Sequence, residues 1–167
     1  MEVIMAKKKL RYFIPGAIAC VLGIAAFCMM FLQAISYGEI GGESIGYTGA
    51  QLAFGYKQDL VVTDVTVWSF NIMIFLGFLL PLAGGILSLI TGNGLLTKII
   101  TTACFVVGAV FLFSLTAYLG IGEGDSLGSI IGNNGAKLAI GPILGGVFAV
   151  LGAVVCFFKG TIAKKIG

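Results

Sequence analysis

The sequence predicts an all-α transmembrane four-helix bundle that carries a small extracellular antiparallel β-sheet, formed mainly by the first outer loop. Three observations lead there. Of the 167 residues, 59% are apolar and 10% charged, with a mean hydropathy of +1.10; a soluble globule of this length needs more polar surface than that. Four apolar runs, about 12–35, 69–91, 97–119 and 137–158, are each long enough to cross roughly 30 Å of hydrocarbon as helix. Between the first two runs lies 36–68, the longest stretch that a bilayer would reject, with Glu39, Glu43, Lys57, Asp59 and Asp64. Residues 1–167 therefore read as a single integral membrane domain with outer loops at 36–68 and 120–136.

The first run follows Lys7, Lys8, Lys9 and Arg11. A basic start before an apolar stretch also describes a secretory signal, and Ala34-Ile-Ser36 would pass for its cleavage site. The run has about 24 residues, however, against about 7–15 in a signal core, so a retained membrane helix is expected. Pro15 sits in its first turn, where a missing N–H costs little. The second run has Pro81 near its middle, which predicts a kink whose freed carbonyl is met by neighbouring helices. Gly92-Asn-Gly94 stops that helix, and Lys98 marks a short hairpin into the third run. The second outer loop is glycine-rich and carries Glu123, Asp125 and the turn sequence Asn133-Asn-Gly135. Pro142 falls in the first turns of the fourth run, and Lys159, Lys164 and Lys165 close the chain.

Orientation follows from the bases. Lys7, Lys8, Lys9, Arg11, Lys98, Lys159, Lys164 and Lys165 fall on one side, and only Lys57 and Lys137 on the other. The positive-inside rule then predicts a multi-pass plasma-membrane protein with both termini cytoplasmic. Clustering beside the ends of apolar runs also assigns these bases to topology, and no nucleic-acid partner is expected.

Hydrophobic contact cannot hold helices together in lipid, so small residues must let their backbones close up. Gly141, Gly145, Ala149 and Ala153 recur every four residues on the fourth run, one continuous groove. Ala19, Gly23 and Phe27 on the first run, with Ala26 beside them, and Gly77, Pro81 and Gly85 on the second, with Gly84 and Ser88 one register over, offer similar lines. The groove either faces its own bundle or a second copy; the geometry of four-helix bundles favours the former.

In the first outer loop, Val61-Thr-Asp-Val-Thr-Val-Trp68 places Val61, Thr63, Val65 and Val67 on one face in strand-like alternation. Ser44-Ile-Gly-Tyr-Thr48 and Gln51-Leu-Ala-Phe-Gly-Tyr56 are shorter strand candidates, with Lys57-Gln-Asp59 as a turn. About three antiparallel strands result, joined by a further one at 129–131. A sheet this small needs support, so Phe54, Val65 or Trp68 should rest on the bundle.

The order of a long first outer loop, a tight inner hairpin and a shorter second loop is similar to the claudin-type tetraspan layout. The likeness stops at layout: this loop has Trp68 alone and no cysteine, where claudins carry a Trp-Gly-Leu-Trp stretch and a cysteine pair. Tyr47-Thr-Gly-Ala-Gln-Leu-Ala-Phe-Gly-Tyr56, followed by a strand and a span with a central proline, resembles small four-span membrane proteins common in Gram-positive bacteria and their wall-less relatives. That resemblance spans most of the chain and implies a bacterial membrane protein without implying an activity.

Chemistry is narrowed by what the sequence lacks. With no histidine, the commonest metal ligand and general base is missing. Cys20, Cys28, Cys104 and Cys156 all fall in apolar runs and form no C-x-x-C pair, unlike a four-span disulfide oxidase. No Asp, Glu, Lys or Arg is expected within any span, whereas proton-coupled exporters use such a charge. Paired acids such as Glu39 and Glu43, or Glu123 and Asp125, lack the spacing of a calcium loop and read as solvated charges. Neither catalytic residue, cofactor nor metal site is therefore assigned, and no enzyme activity is expected. Tyr47, Phe54, Tyr56 and Trp68 are the candidate partner contacts, since aromatics dominate binding hot spots. The expected role is an interaction or scaffold protein or accessory subunit, embedded in the lipid bilayer with a membrane-protein partner or further copies of itself. The alternative is a small oligomeric channel or facilitator, motivated by the glycine-rich helices and Pro81.

Overall fold

The structure, a computed structural model, describes residues 2–40, 43–59, 64–92, 94–121, 126 and 135–166. Helix α1 runs Glu2–Cys28 and tightens into a 3₁₀ turn over Met29–Phe31. Leu32 is already extended, with φ −86° and ψ 165°. The apolar run was expected to stay helical to residue 35, but Gln33–Ile40 is strand β1. Ala34 and Ile35 are fully buried beneath the loops, and the apolar pattern of a short buried strand is the same as that of more helix.

Strand β1 is the centre of a three-stranded sheet. It pairs antiparallel with β2, Glu43–Thr48, from Ile40 opposite Glu43 to Gln33 opposite Thr48. On its other edge Ile35 and Ser36 pair with Leu138 and Lys137 of β5, Lys137–Leu138. The second loop thus reaches the sheet through β5; the strand expected at 129–131 lies outside the described residues. A two-stranded sheet follows: β3, Tyr56–Asp59, against β4, Asp64–Trp68. A turn was expected at Lys57-Gln-Asp59, and these residues instead pair with β4. Of the alternating stretch, 61–63 also lie outside the described residues.

Between the sheets, Gly49–Phe54 forms helix α2 where a strand was expected. Its start is a capping box. The Thr48 hydroxyl accepts from the Gln51 N–H at 3.2 Å, and the Gln51 side-chain oxygen accepts from the Thr48 N–H at 2.9 Å. Two otherwise orphaned donors are met reciprocally, and that outweighs the strand tendency of the flanking aromatics.

Helices α3 (Ile72–Ile90), α4 (Leu95–Phe113) and α5 (Ile140–Phe157) complete the bundle. Phe13–Phe31, Ile72–Ile90, Leu95–Phe113 and Ile140–Phe157 are long and apolar enough to cross a membrane. They form a ring in which α1 packs on α3, α3 on α4, α4 on α5 and α5 on α1. A 3₁₀ turn at Leu115–Tyr118 follows α4, and a short helix α6, Lys159–Ile166, follows α5. The strands, α2 and this 3₁₀ turn gather at one end, the loop end. The α3–α4 hairpin and α6 occupy the other, the basic end.

Backbone approaches close the ring. A β-carbon on Gly23 of α1 would stand 2.5 Å from the Pro81 carbonyl oxygen, and one on Gly85 of α3 3.0 Å from the Ala19 carbonyl oxygen. Pro81 lies inside an unbroken α3, and its ring fills the space beside Gly108, where a β-carbon would fall 2.5 Å from the proline Cδ. The Gly77 carbonyl, which Pro81 cannot serve with an N–H, also faces Gly108. This is close packing between helices that only small residues allow.

Candidate interaction site

Tyr47 on β2 is the hub of the loop end. Its ring stands 5.6 Å from that of Trp68 on β4, edge-on, 6.2 Å from Tyr56 on β3 and 6.4 Å from Tyr37 on β1. Four aromatics from four strands therefore meet in one cluster, joining the two sheets that share no backbone ladder. Centroid spacings of this size are those of favourable edge-to-face and tilted pairs. Burial, and secondarily the neighbouring Tyr56, pushes the Tyr47 phenol above its ordinary pKa.

Trp68 is 1% exposed and packs with Leu52, Ala53, Ile74, Phe78, Leu112 and Leu115 in the larger of two cores. It is thus the floor on which the sheets rest, and its indole N–H finds no acceptor among the described residues. Phe54 is set apart from the cluster. It is 56% exposed at the end of α2 and tilts against Phe75 of α3 at 5.4 Å, with Phe70 on the other side of Phe75 at 6.0 Å. Of the four predicted contact residues, Tyr47, Tyr56 and Trp68 are brought together, and only Phe54 is widely open. Among the described residues the exposed positions of the sheets include Ile45 and Gly46 on β2 and Lys57 and Gln58 on β3, with Gln33 and Gly38 on β1 and Lys137 on β5.

Asn71 fixes this assembly to the bundle. Its side-chain oxygen accepts from the N–H groups of Met73 and Ile74, capping α3. Its amide nitrogen donates to the carbonyls of Tyr118 at 2.9 Å and Ile121 at 3.4 Å, and its backbone N–H donates to Ala53. At 2% exposure, one side chain ties both loops to one helix start.

The predicted packing groove, Gly141, Gly145, Ala149 and Ala153, is buried along its length. Gly141 lies under the carbonyls of Met29 and Gln33, and Gly145 against Leu112 and the Ala26 carbonyl. Ala149 and Ala153 join Ala19, Phe105, Ala109 and Cys156 in the second core. The chain's own α1 and α4 fill this groove.

At the basic end the role of Lys159 goes unread in the sequence, where it counts only among the bases that set topology. The residue is 4% exposed, and its ammonium donates to the carbonyls of Ser88 at 2.5 Å and Thr91 at 2.9 Å. A cation on the last carbonyls of α3 complements the negative end of the helix dipole. A lysine placed just past an apolar run was the available signal, but its partners lie 71 and 68 residues away.

Among the described residues no three His, Cys, Asp or Glu side chains come together as a metal site would require. No charge was expected within a span, but the four candidate spans contain one, Lys98, in the first turns of α4, because the helix begins at Leu95, before this lysine. No known protein family, curated protein or solved structure matches this chain.

Proposed function

We propose that this chain is a multi-pass plasma-membrane protein, with both termini cytoplasmic, that serves as an interaction or scaffold subunit for another membrane protein. It is of the same kind as the small four-span proteins of Gram-positive bacteria that it resembles. The observation that carries this reading is the loop end: two sheets and a helix are ordered around Tyr47 and fastened by Asn71. A merely connecting loop has no need of such construction. The bundle beneath is filled by Phe78, Phe105 and Leu112, each at most 1% exposed, which favours a mount over a pore through one chain.

The exposed faces of β2 and β3, with Phe54 at the rim, form the contact surface. A photo-crosslinking residue placed at Ile45 or Gln58, at native expression, is expected to capture one reproducible membrane protein, identified by mass spectrometry. Adducts with this chain alone would replace the reading with a homo-oligomer, for which solute flux in liposomes becomes the next measurement.

A further inference from the structure

We infer that the basic end binds the headgroups of anionic phospholipids through a collar formed by the outer face of α6. The inference rests on membrane embedding and is independent of any partner at the loop end. Lys164 and Lys165 lie in the last turn of α6, near the end of the chain. Helix α6 packs on α1. Gly16 of α1 lies against Ser88, the residue whose carbonyl Lys159 holds, so the preceding turns of α1 and α6 share one end of the bundle.

Helix α6 is two-sided. Lys159, Gly160 and Ala163 are buried, whereas Thr161, Lys164 and Lys165 are exposed. Anchored by Lys159, it cannot turn its lysines inward without breaking two hydrogen bonds to α3. At the same end of the bundle, widely exposed apolar side chains end the spans: Leu95 at 77%, Ile90 at 75%, Leu96 at 69% and Phe157 at 64%. Bare hydrocarbon and fixed positive charge at one end are complementary to acyl chain and anionic headgroup together. An acidic protein segment would match the charge but leave the apolar side chains uncovered. Each lysine near a negatively charged leaflet contributes roughly fivefold in affinity.

The test uses the full chain, reconstituted into vesicles of equimolar phosphatidylglycerol and phosphatidylcholine and re-extracted in mild detergent. Mass spectrometry then gives the ratio of the two lipids retained. Enrichment in phosphatidylglycerol that falls at high salt is expected, reduced roughly fivefold or more in K164Q/K165Q. The double variant K57Q/K137Q, at the other end, should keep the wild-type ratio. Chain that inserts but shows no enrichment, or enrichment unchanged in K164Q/K165Q, overturns the lipid collar alone. Salt-sensitive binding of polyglutamate without lipid enrichment overturns it in favour of a protein partner. Chain that fails to enter the vesicles overturns the embedding reading as well.

Discussion

At the loop end the core is built from large side chains, Trp68, Phe78, Ile74 and Met30 among them, and the described connections are held by strand pairing, the Thr48–Gln51 cap and Asn71. Toward the basic end the second core is mostly alanine around Phe105, and helices meet through glycine at backbone contact. There the only long-range side-chain hydrogen bonds among the described residues are those of Lys159. The first end spends its polar residues on fixing the shape of a surface, and the second on closing helix ends and holding charge. The proposed interaction surface accordingly rests on the end where ordered structure is built outside the spans.

The largest effect should come from the floor of the loop end. Trp68→Ala removes the side chain that carries both sheets and should cost about 3–5 kcal/mol, read as a fall in melting temperature in detergent. A loss this large accompanied by failure of crosslinking at Ile45, with the bundle's helicity retained, would show that the loop end melts separately. Asn71→Leu should come next, at about 2–4 kcal/mol. It leaves the N–H groups of Met73 and Ile74 and the carbonyl of Ile121 without their partner, and the Tyr118 carbonyl with only the Ile121 N–H. Lys159→Met keeps the aliphatic stem and deletes the two donors at the basic end, and about 1–2 kcal/mol is expected by the same melt. An equal or greater loss than that of Asn71→Leu would break the contrast between the ends.

The smallest effect is in alkaline solution, where the two ends should respond with opposite sign. Burial, reinforced by Lys98, holds the Lys159 ammonium below the ordinary lysine value of 10.5. Below that value the unfolded chain binds the proton more tightly, so stability rises as pH climbs toward 10.5. For Tyr47 the folded pKa lies above 10.0, so the unfolded chain ionises first and stability falls once pH passes 10.0. Melting curves across this range should lose the rise in Lys159→Met and lose the fall in Tyr47→Phe.

The spans were legible because length and hydropathy suffice for them: Gly92-Asn-Gly94 sits between α3 and α4, and Pro142 lies in the first turn of α5. Their ends were less so. Ala34 and Ile35 extend the first apolar run, yet pair as strand because β2 and β5 stand on either side of them. Gln51-Leu-Ala-Phe54 reads as strand until the Thr48–Gln51 box is noticed, three residues apart and visible in the sequence. Tyr47, Tyr56 and Trp68 were singled out one by one as partner contacts, Trp68 also as a residue that would rest on the bundle. Their convergence depends on ladders between distant residues, which also sink Trp68 into the core. Lys159 lay hidden for the same reason, since nothing near it in the chain names Ser88.

The central claim is that the two ends face opposite sides of a membrane, with the ordered loops outside. Its most direct test is cysteine labelling in whole cells with a membrane-impermeant maleimide, using Gln58→Cys for the loop end and Thr161→Cys for the basic end, against the parent chain as baseline. The account predicts that Gln58→Cys reacts in intact cells and Thr161→Cys only after permeabilisation. Labelling of Thr161→Cys in intact cells, or protection of Gln58→Cys until the cells are opened, would contradict it.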